Sequence, residues 1–286
     1  MPDYSIWSLE YGEIAEYALG NLLYQQQGAP RRMPYTYVVL RDQDHVVMVD
    51  VGHNTAGSQQ ELARSYGAGD CLPPADVLAE IGLRPEDVDY VVVTHAHFDH
   101  FGNAGAFPNA TFLIARAEIE QWLWYMSMPK SMSLFMGVVD PGDIMRAVQL
   151  AAEGRLRFIE GDTQDALPGI DLFIARDTHT EGSMWVRVRG ESAADSYVIA
   201  GDNVDVYENL TGIDGNGLMI PGGWGAGSPL KIIVAMNSML ETVDREPYRI
   251  IPMHDTNLPG KFQSRRTAAG NAVTQIRLAK GATSYL

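Results

Sequence analysis

One cysteine in 286 residues, Cys71, leaves this chain unable to close an internal disulfide, which fits a reducing cytoplasm. The same scarcity excludes a Cys₄ zinc site and a cysteine-held iron–sulfur cluster. Cys71 as a nucleophile is also a poor reading, because a lone thiol without an activating neighbour is ordinarily inert. No run approaches the ~18 apolar residues of a membrane span. The opening Met1-Pro2-Asp3-Tyr4 has neither the basic nor the apolar stretch of a secretory signal. Positive charge is scarce as well: 21 Lys and Arg stand against 36 Asp and Glu, for a net charge of -15. Such a balance predicts no broad basic face for a phosphate backbone, so neither nucleic acid nor a membrane is an expected partner. A small molecule is.

What remains is a globular composition, 46% hydrophobic and 20% charged. The chain is rich in chemistry at one place. Residues 94–100 read Thr-His-Ala-His-Phe-Asp-His, so His95, His97, Asp99 and His100 fall within six positions, although the whole chain holds only 7 His. Three imidazoles and a carboxylate this close gain little as packing and repel when protonated. They make sense as metal ligands, and imidazole with carboxylate suits Zn²⁺, with Mn²⁺ or Fe²⁺ as alternatives. A structural zinc site is the plainer reading, but such sites close with four ligands and usually recruit Cys.

Strand and helix patterns intermix along the whole length with no linker, which predicts one α/β domain over residues 1–286. Tyr35–Leu40 and Val46–Val51 read as strands joined by the hairpin signal Arg41-Asp42-Gln43-Asp44. Further strands are expected at Asp89–Val93, Thr111–Ala115, Leu156–Ile159, Leu172–Ala175, Met184–Val188, Tyr197–Ala200 and Arg249–Ile251. Helices are expected at Pro73–Ile81 (stopped by Gly82), Ala117–Tyr125, Pro141–Glu153, Ser228–Val243 and Arg265–Leu278. Two stretches stand apart. Gln121–Val139 carries Trp122, Trp124, Tyr125, Phe135 and several Met, and reads as a core helix with its connection, as an adaptable wall or lid over a pocket, or as the subunit interface of a homodimer. Thr211–Pro229 is Gly-rich around Trp224, but it lacks the spacing of a phosphate loop.

A catalytic metal site needs more ligands than one loop supplies. His179 lies in a turn between two strands, while Asp202 and His254 each end an apolar strand. Singly, a strand-end Asp is more often a turn former and a lone His more often a satisfied surface or core residue. Three of them following H-x-H-x-D-H favour ligands, delivered from strand ends as open sheets commonly build their sites.

The order His95-x-His97-x-Asp99-His100, then His179, Asp202 and His254, resembles the metallo-β-lactamase superfamily. That resemblance implies an αββα sandwich: two mixed sheets flanked by helices, with a dinuclear metal site along one edge. It implies His95, His97 and His179 on one metal, Asp99, His100 and His254 on the other, and Asp202 bridging both. Asp50 would stand behind the ligands. Asp202 occupies the place where the commonest drug-inactivating lactamases carry Cys, and His97 the place where the redox di-iron members carry Glu. The N-acyl homoserine lactonase and 4-pyridoxolactonase branch is the one most resembled. These enzymes place a Tyr three residues after the bridging Asp to assist the substrate carbonyl. Here that position is Asp205, and Tyr207 is the nearest tyrosine.

The expected function is therefore zinc-dependent hydrolysis, with a hydroxide shared by two ions opening a small lactone. Asp99, Asp202 and Tyr207 are the expected catalytic side chains beside the metal ligands. Hydrolysis of a cyclic amide or other C–N bond is the alternative, with Asp205 as a candidate acid, followed by a phosphate or sulfate ester. A non-catalytic metal-binding protein on the same scaffold is the reading from outside enzymes.

Overall fold

Alternating apolar side chains build the strands. In β2 (Arg31–Arg41), Val38 and Leu40 enter one core while Tyr37 and Val39 enter another, the period-two pattern of a strand covered on both faces. The computed structural model describes residues 2–286. Among them, one sheet has eight strands: β1 (Ser5–Tyr17), β2, β3 (Val46–Val49), β4 (Tyr90–Val92), β5 (Thr111–Ala115), β6 (Leu156–Ile159), β12 (Gln263–Arg266) and β13 (Ala272–Arg277). They run in the order β12-β13-β1-β2-β3-β4-β5-β6. The other sheet comprises β7 (Thr163–Leu167), β8 (Ile170–Ile174), β9 (Met184–Val188), β10 (Tyr197–Ile199) and β11 (Ile250–Ile251), in the order β11-β10-β9-β8-β7. Both sheets mix parallel and antiparallel pairs.

Three apolar layers hold the sandwich together. Between the sheets, Val38, Leu40, Val49 and Val92 meet Leu172, Val186, Ile199 and Ile251. Helices α2 (Gly57–Ser65), α3 (Pro74–Ala79), α5 (Arg116–Met126) and α6 (Pro141–Ala152) cover the outer face of the larger sheet. Helix α8 (Pro229–Thr242) covers the smaller one through Ile232, Met236 and Met239. The short helices α1 (Leu19–Leu22), α4 (Phe98–Phe101), α7 (Tyr207–Thr211) and α9 (Leu258–Lys261) are about one turn each. Each large apolar side chain buried this way contributes about 1.5–3 kcal/mol. The layering is the αββα sandwich that the ligand order implied.

The expected strands recur within a few residues, and so do four of the five expected helices. The helix expected at Arg265–Leu278 is a correction: those residues form the hairpin β12–β13. Ala, Gln and Arg favour a helix there, but Gly270, with φ +91°, makes the turn, and Val273, Thr274 and Ile276 are β-branched residues packed on a pleated surface. Strand β1 was not expected at all, although it pairs with both β2 and β13.

Registers place the chemistry. Strands β10 and β11 pair in parallel with Ile199 opposite Ile251. Asp202 and His254 each lie three residues beyond that pair, so both emerge at the same edge. In the other sheet Val49 pairs with Val92, which brings Asp50 beside Thr94 and the cluster that follows.

Candidate metal centre

All seven sequence-nominated ligands converge at this edge. His95, His97, His179 and Asp202 each present a donor atom within 4.8 Å of the others, and so do Asp99, His100 and His254. Asp202 lies between the two groups. Its Oδ2 is 3.6 Å from His95 Nε2 and 3.4 Å from His179 Nε2, while its Oδ1 is 3.2 Å from both His100 Nε2 and His254 Nε2. Asp99 Oδ2 lies 3.6 Å from His100 Nε2 and 3.9 Å from His254 Nε2. His97 Nδ1 and His179 Nε2 face each other at 3.0 Å.

The outward ring nitrogens of His95, His100 and His254 are tied down. Asp50 lies 2.7 Å from His100 Nδ1 and also accepts from the Thr94 N–H at 2.7 Å and the Thr94 hydroxyl at 2.8 Å. His95 Nδ1 lies 3.0 Å from that hydroxyl, and His254 Nδ1 lies 2.9 Å from the Pro34 carbonyl. Asp50 holds this post at φ +63°, a strained value for a residue with a side chain. Three inward atoms have no such partners. His95 Nε2, His100 Nε2 and Asp202 Oδ1 are buried without a hydrogen bond, an arrangement that costs free energy unless another group binds there. Neutral imidazole and carboxylate around such a gap fit divalent cations.

Charge follows the same division. Burial, reinforced by neighbouring histidines, pushes His95 and His97 well below the usual imidazole range, and burial lowers His179 to about 4. These three are held neutral, as a ligand must be. Burial also disfavours charge on His254, but Asp202 and Asp99 outweigh it and raise the group to about 9. For Asp202 burial raises the carboxyl, yet His100, His254 and His95 together hold it well below its ordinary value.

Sequence reasoning missed Glu118 at the start of α5. Completely buried, it accepts from the Ala96 N–H (2.8 Å), the Trp122 indole N–H (2.8 Å), the Thr180 hydroxyl (2.7 Å) and the Gly182 N–H (2.9 Å). Ala96 separates His95 from His97, and Thr180 follows His179, so one carboxylate fastens two ligand loops. Gly182 permits the approach, because a Cβ there would lie 2.3 Å from the Glu118 nitrogen. An acidic residue on the apolar face of a helix, four residues before a Trp, was the available signal. The Gly-rich stretch supports the same loop: Ala226 donates to the His179 carbonyl and Ser228 to the Asp177 carbonyl, each at 2.8 Å.

Beside the donors lies a pocket of about 530 Å³, counting its open mouth, walled by Tyr17, Tyr35, Tyr66, Phe98, Val138 and Trp224. Val138 and Trp224 come from the two stretches that stood apart in the sequence. Tyr207 is a correction. Its ring packs in the inter-sheet core and against Tyr248, with centroids 5.1 Å apart, and it is absent from the pocket wall. The tyrosines that reach the pocket are Tyr17, Tyr35 and Tyr66. Cys71 lines no part of it, and burial pushes its thiol up to about 12.

The Metallo-beta-lactamase superfamily profile matches residues 30–254. The chain belongs to the metallo-β-lactamase superfamily. Within it, the chain is similar to an N-acyl homoserine lactonase from Bacillus cereus, 31% identical over 110 residues, which cover 35% of this chain and 41% of that protein. It is also similar to the N-acyl homoserine lactonase AttM of Rhizobium johnstonii, 28% identical over 128 residues, covering 42% and 49%. The chain thus spans less than half the length of these curated relatives. Among solved structures, an N-acyl homoserine lactone hydrolase with N-hexanoyl-L-homoserine bound at its catalytic metal centre superposes with a TM-score of 0.66, at 20% identity over 95% of this chain and 100% of that one. AidC, a dizinc quorum-quenching lactonase, superposes at 0.64 with 14% identity over 98% and 97%. At such identities the superpositions speak for the superfamily fold. No helix among the described residues is long and apolar enough to cross a membrane.

Proposed function

We propose that this chain, as one domain over residues 1–286, is a cytoplasmic metal-dependent hydrolase that opens a small cyclic ester, with two zinc ions as its cofactor. The observation that carries the reading is Asp202, whose two oxygens face two separate sets of buried imidazoles. A single-metal or purely structural site has no use for that division. His95, His97 and His179 would hold one ion, Asp99, His100 and His254 the other, and Asp202 both. When bound, the ions supply a nucleophile from water near neutral pH and polarise the substrate carbonyl.

The side chains do the rest. Asp50, Thr94 and the Pro34 carbonyl orient the imidazoles, and Glu118 fastens the loops that carry them. Asp202, with Asp99 as second candidate, would take up the proton given up by the attacking water and pass it to the ring oxygen as the C–O bond breaks, so that the alcohol forms. The aromatic wall receives the ring and its substituent and excludes water. Among the described residues no Lys or Arg lines the pocket, which favours a neutral ester over a phosphate or sulfate ester.

Proton release from a panel of lactones, cyclic amides, and phosphate and sulfate esters, run with elemental analysis, tests the proposal. Lactone turnover with about two zinc ions per chain is expected. Hydrolysis confined to amides would move the reaction to C–N bonds, metal occupancy without turnover would leave a binding protein, and full activity after metal removal would refute the metal-dependent reading.

A further inference from the structure

The segment Leu123–Val139 holds one charged residue, Lys130, in a chain whose net charge is -15. The fold leaves much of this segment outside. Leu123 (44% exposed) and Trp124 (56%) lie in the last turn of α5. Met132 (58%) and Leu134 (75%) stand on the turns Lys130–Met132 and Leu134–Val138 that follow. An aromatic row joins the helix to the turns. The Trp124 ring stacks on Tyr125, with centroids 5.3 Å apart, and Tyr125 stacks on Phe135 at 6.1 Å. Met126, Met128 and Met136 are half-buried in the same segment.

Size and charge together select what covers this face. Its exposed apolar area is on the order of 600 Å², the upper end for a monomer and most of the ~800 Å² that each partner brings to a stable complex. Aromatic and Met side chains with little charge are the make-up of an interface core. Two copies of a chain at -15 repel wherever acidic faces meet, and this segment has no acidic residue, so a second copy approaches here at the least electrostatic cost. A lipid surface calls for basic residues around the apolar face, and Lys130 is the single one in the segment. One self-complementary face closes into a pair about a two-fold axis.

The inner side of the segment belongs to the metal-site pocket. Val138 lines it, and the Tyr66 hydroxyl, also at the pocket wall, donates to the Gly137 carbonyl at 3.0 Å. We propose that the face from Leu123 to Leu134 joins two copies of this chain, and that the contact steadies the pocket wall at Val138. Neither part depends on the lactone reading, because both are read without substrate.

Sedimentation velocity of the metal-loaded chain from about 1 to about 100 µM should show a species of twice the chain mass. Trp124→Glu and Leu134→Glu should each weaken association by at least about 30-fold, since the change occurs at the centre of the face and on both copies. Leu134, on an exposed turn, serves where Trp124→Glu fails to fold. Leu230→Glu, at a 68% exposed side chain on α8, should leave the mass unchanged. Hydrogen exchange across residues 128–139 of the wild type should slow about threefold or more as the chain is concentrated into the dimer. A monomer throughout the range overturns the proposal, as does a dimer that survives both substitutions on the face or is broken by Leu230→Glu. A monomer that floats with phosphatidylcholine vesicles also overturns it, by giving the face to a lipid surface. Association with unchanged exchange across 128–139 overturns the steadying of the wall.

Discussion

The inner face of the donor cluster and the layer behind it obey opposite rules. Inside, His95 Nε2, His100 Nε2 and Asp202 Oδ1 are buried without hydrogen-bond partners. Behind, Glu118 accepts four hydrogen bonds and the Asp50 carboxylate meets three nitrogen or hydroxyl partners. A fold that satisfies the Glu118 and Asp50 carboxylates so fully and leaves the adjacent atoms open has spent its rigidity on orientation. The unpaired atoms mark where a ligand goes, and the paired ones hold them there.

The contrast can be broken from the inside first. Asp202→Asn or His97→Ala should lower turnover by at least about a thousandfold, and His97→Ala should also lower the metal content read by elemental analysis. Full turnover in either variant would mean that the open layer is not the reactive one. From behind, Asp50→Asn should weaken metal binding about 10- to 100-fold, measured by chelator competition. Unchanged affinity would reduce Asp50 to a packing role.

Glu118→Gln sharpens the comparison, because all four partners of Glu118 are donors and an amide NH₂ must face two of them. Metal affinity should fall about tenfold and stability by about 1–3 kcal/mol, read by chelator competition and denaturant unfolding. A fall in stability with unchanged metal affinity would separate the clamp from the site.

The smallest effect lies outside both layers. Asp143 is buried in α6 beside Gln59, and its Oδ2 has no partner. Burial, aided by Asp140, raises its carboxyl to about 8. A carboxyl raised in the folded state favours folding at low pH, and that advantage is lost as pH rises from about 4 to about 8. Asp143→Asn should therefore gain about 1–3 kcal/mol relative to wild type at pH 8 and little at pH 4. Equal shifts at both values would locate the effect in packing instead of charge.

The donor residues that converge at the sheet edge were legible in the sequence because metal chemistry restricts residue types and because strand ends advertise themselves by the apolar run before them. His179, Asp202 and His254 needed only that. The layered fold followed from the family resemblance that the order of these residues carries. Strand β1 was not legible: Glu10, Gly12 and Glu13 interrupt its alternation, and it is held by pairing on both sides, which no local pattern reports. The same blindness hid Tyr17, at the end of β1, and put Tyr207 forward in its place. Proximity in sequence suggested Tyr207, but the start of α7 turns its ring into the inter-sheet core. Glu118 was hidden because the value of a buried acid depends on donors 22 and 64 residues away.

Ile199 lies opposite Ile251 in two strands that are short and far apart in the chain. The donor cluster therefore draws on residues from 95 to 254 and on both sheets, and it is complete only when most of the polypeptide has been synthesised and the two halves have docked. Metal captured by the full set would then act as a late rivet between the sheets. The rate at which it escapes would report how often the halves part.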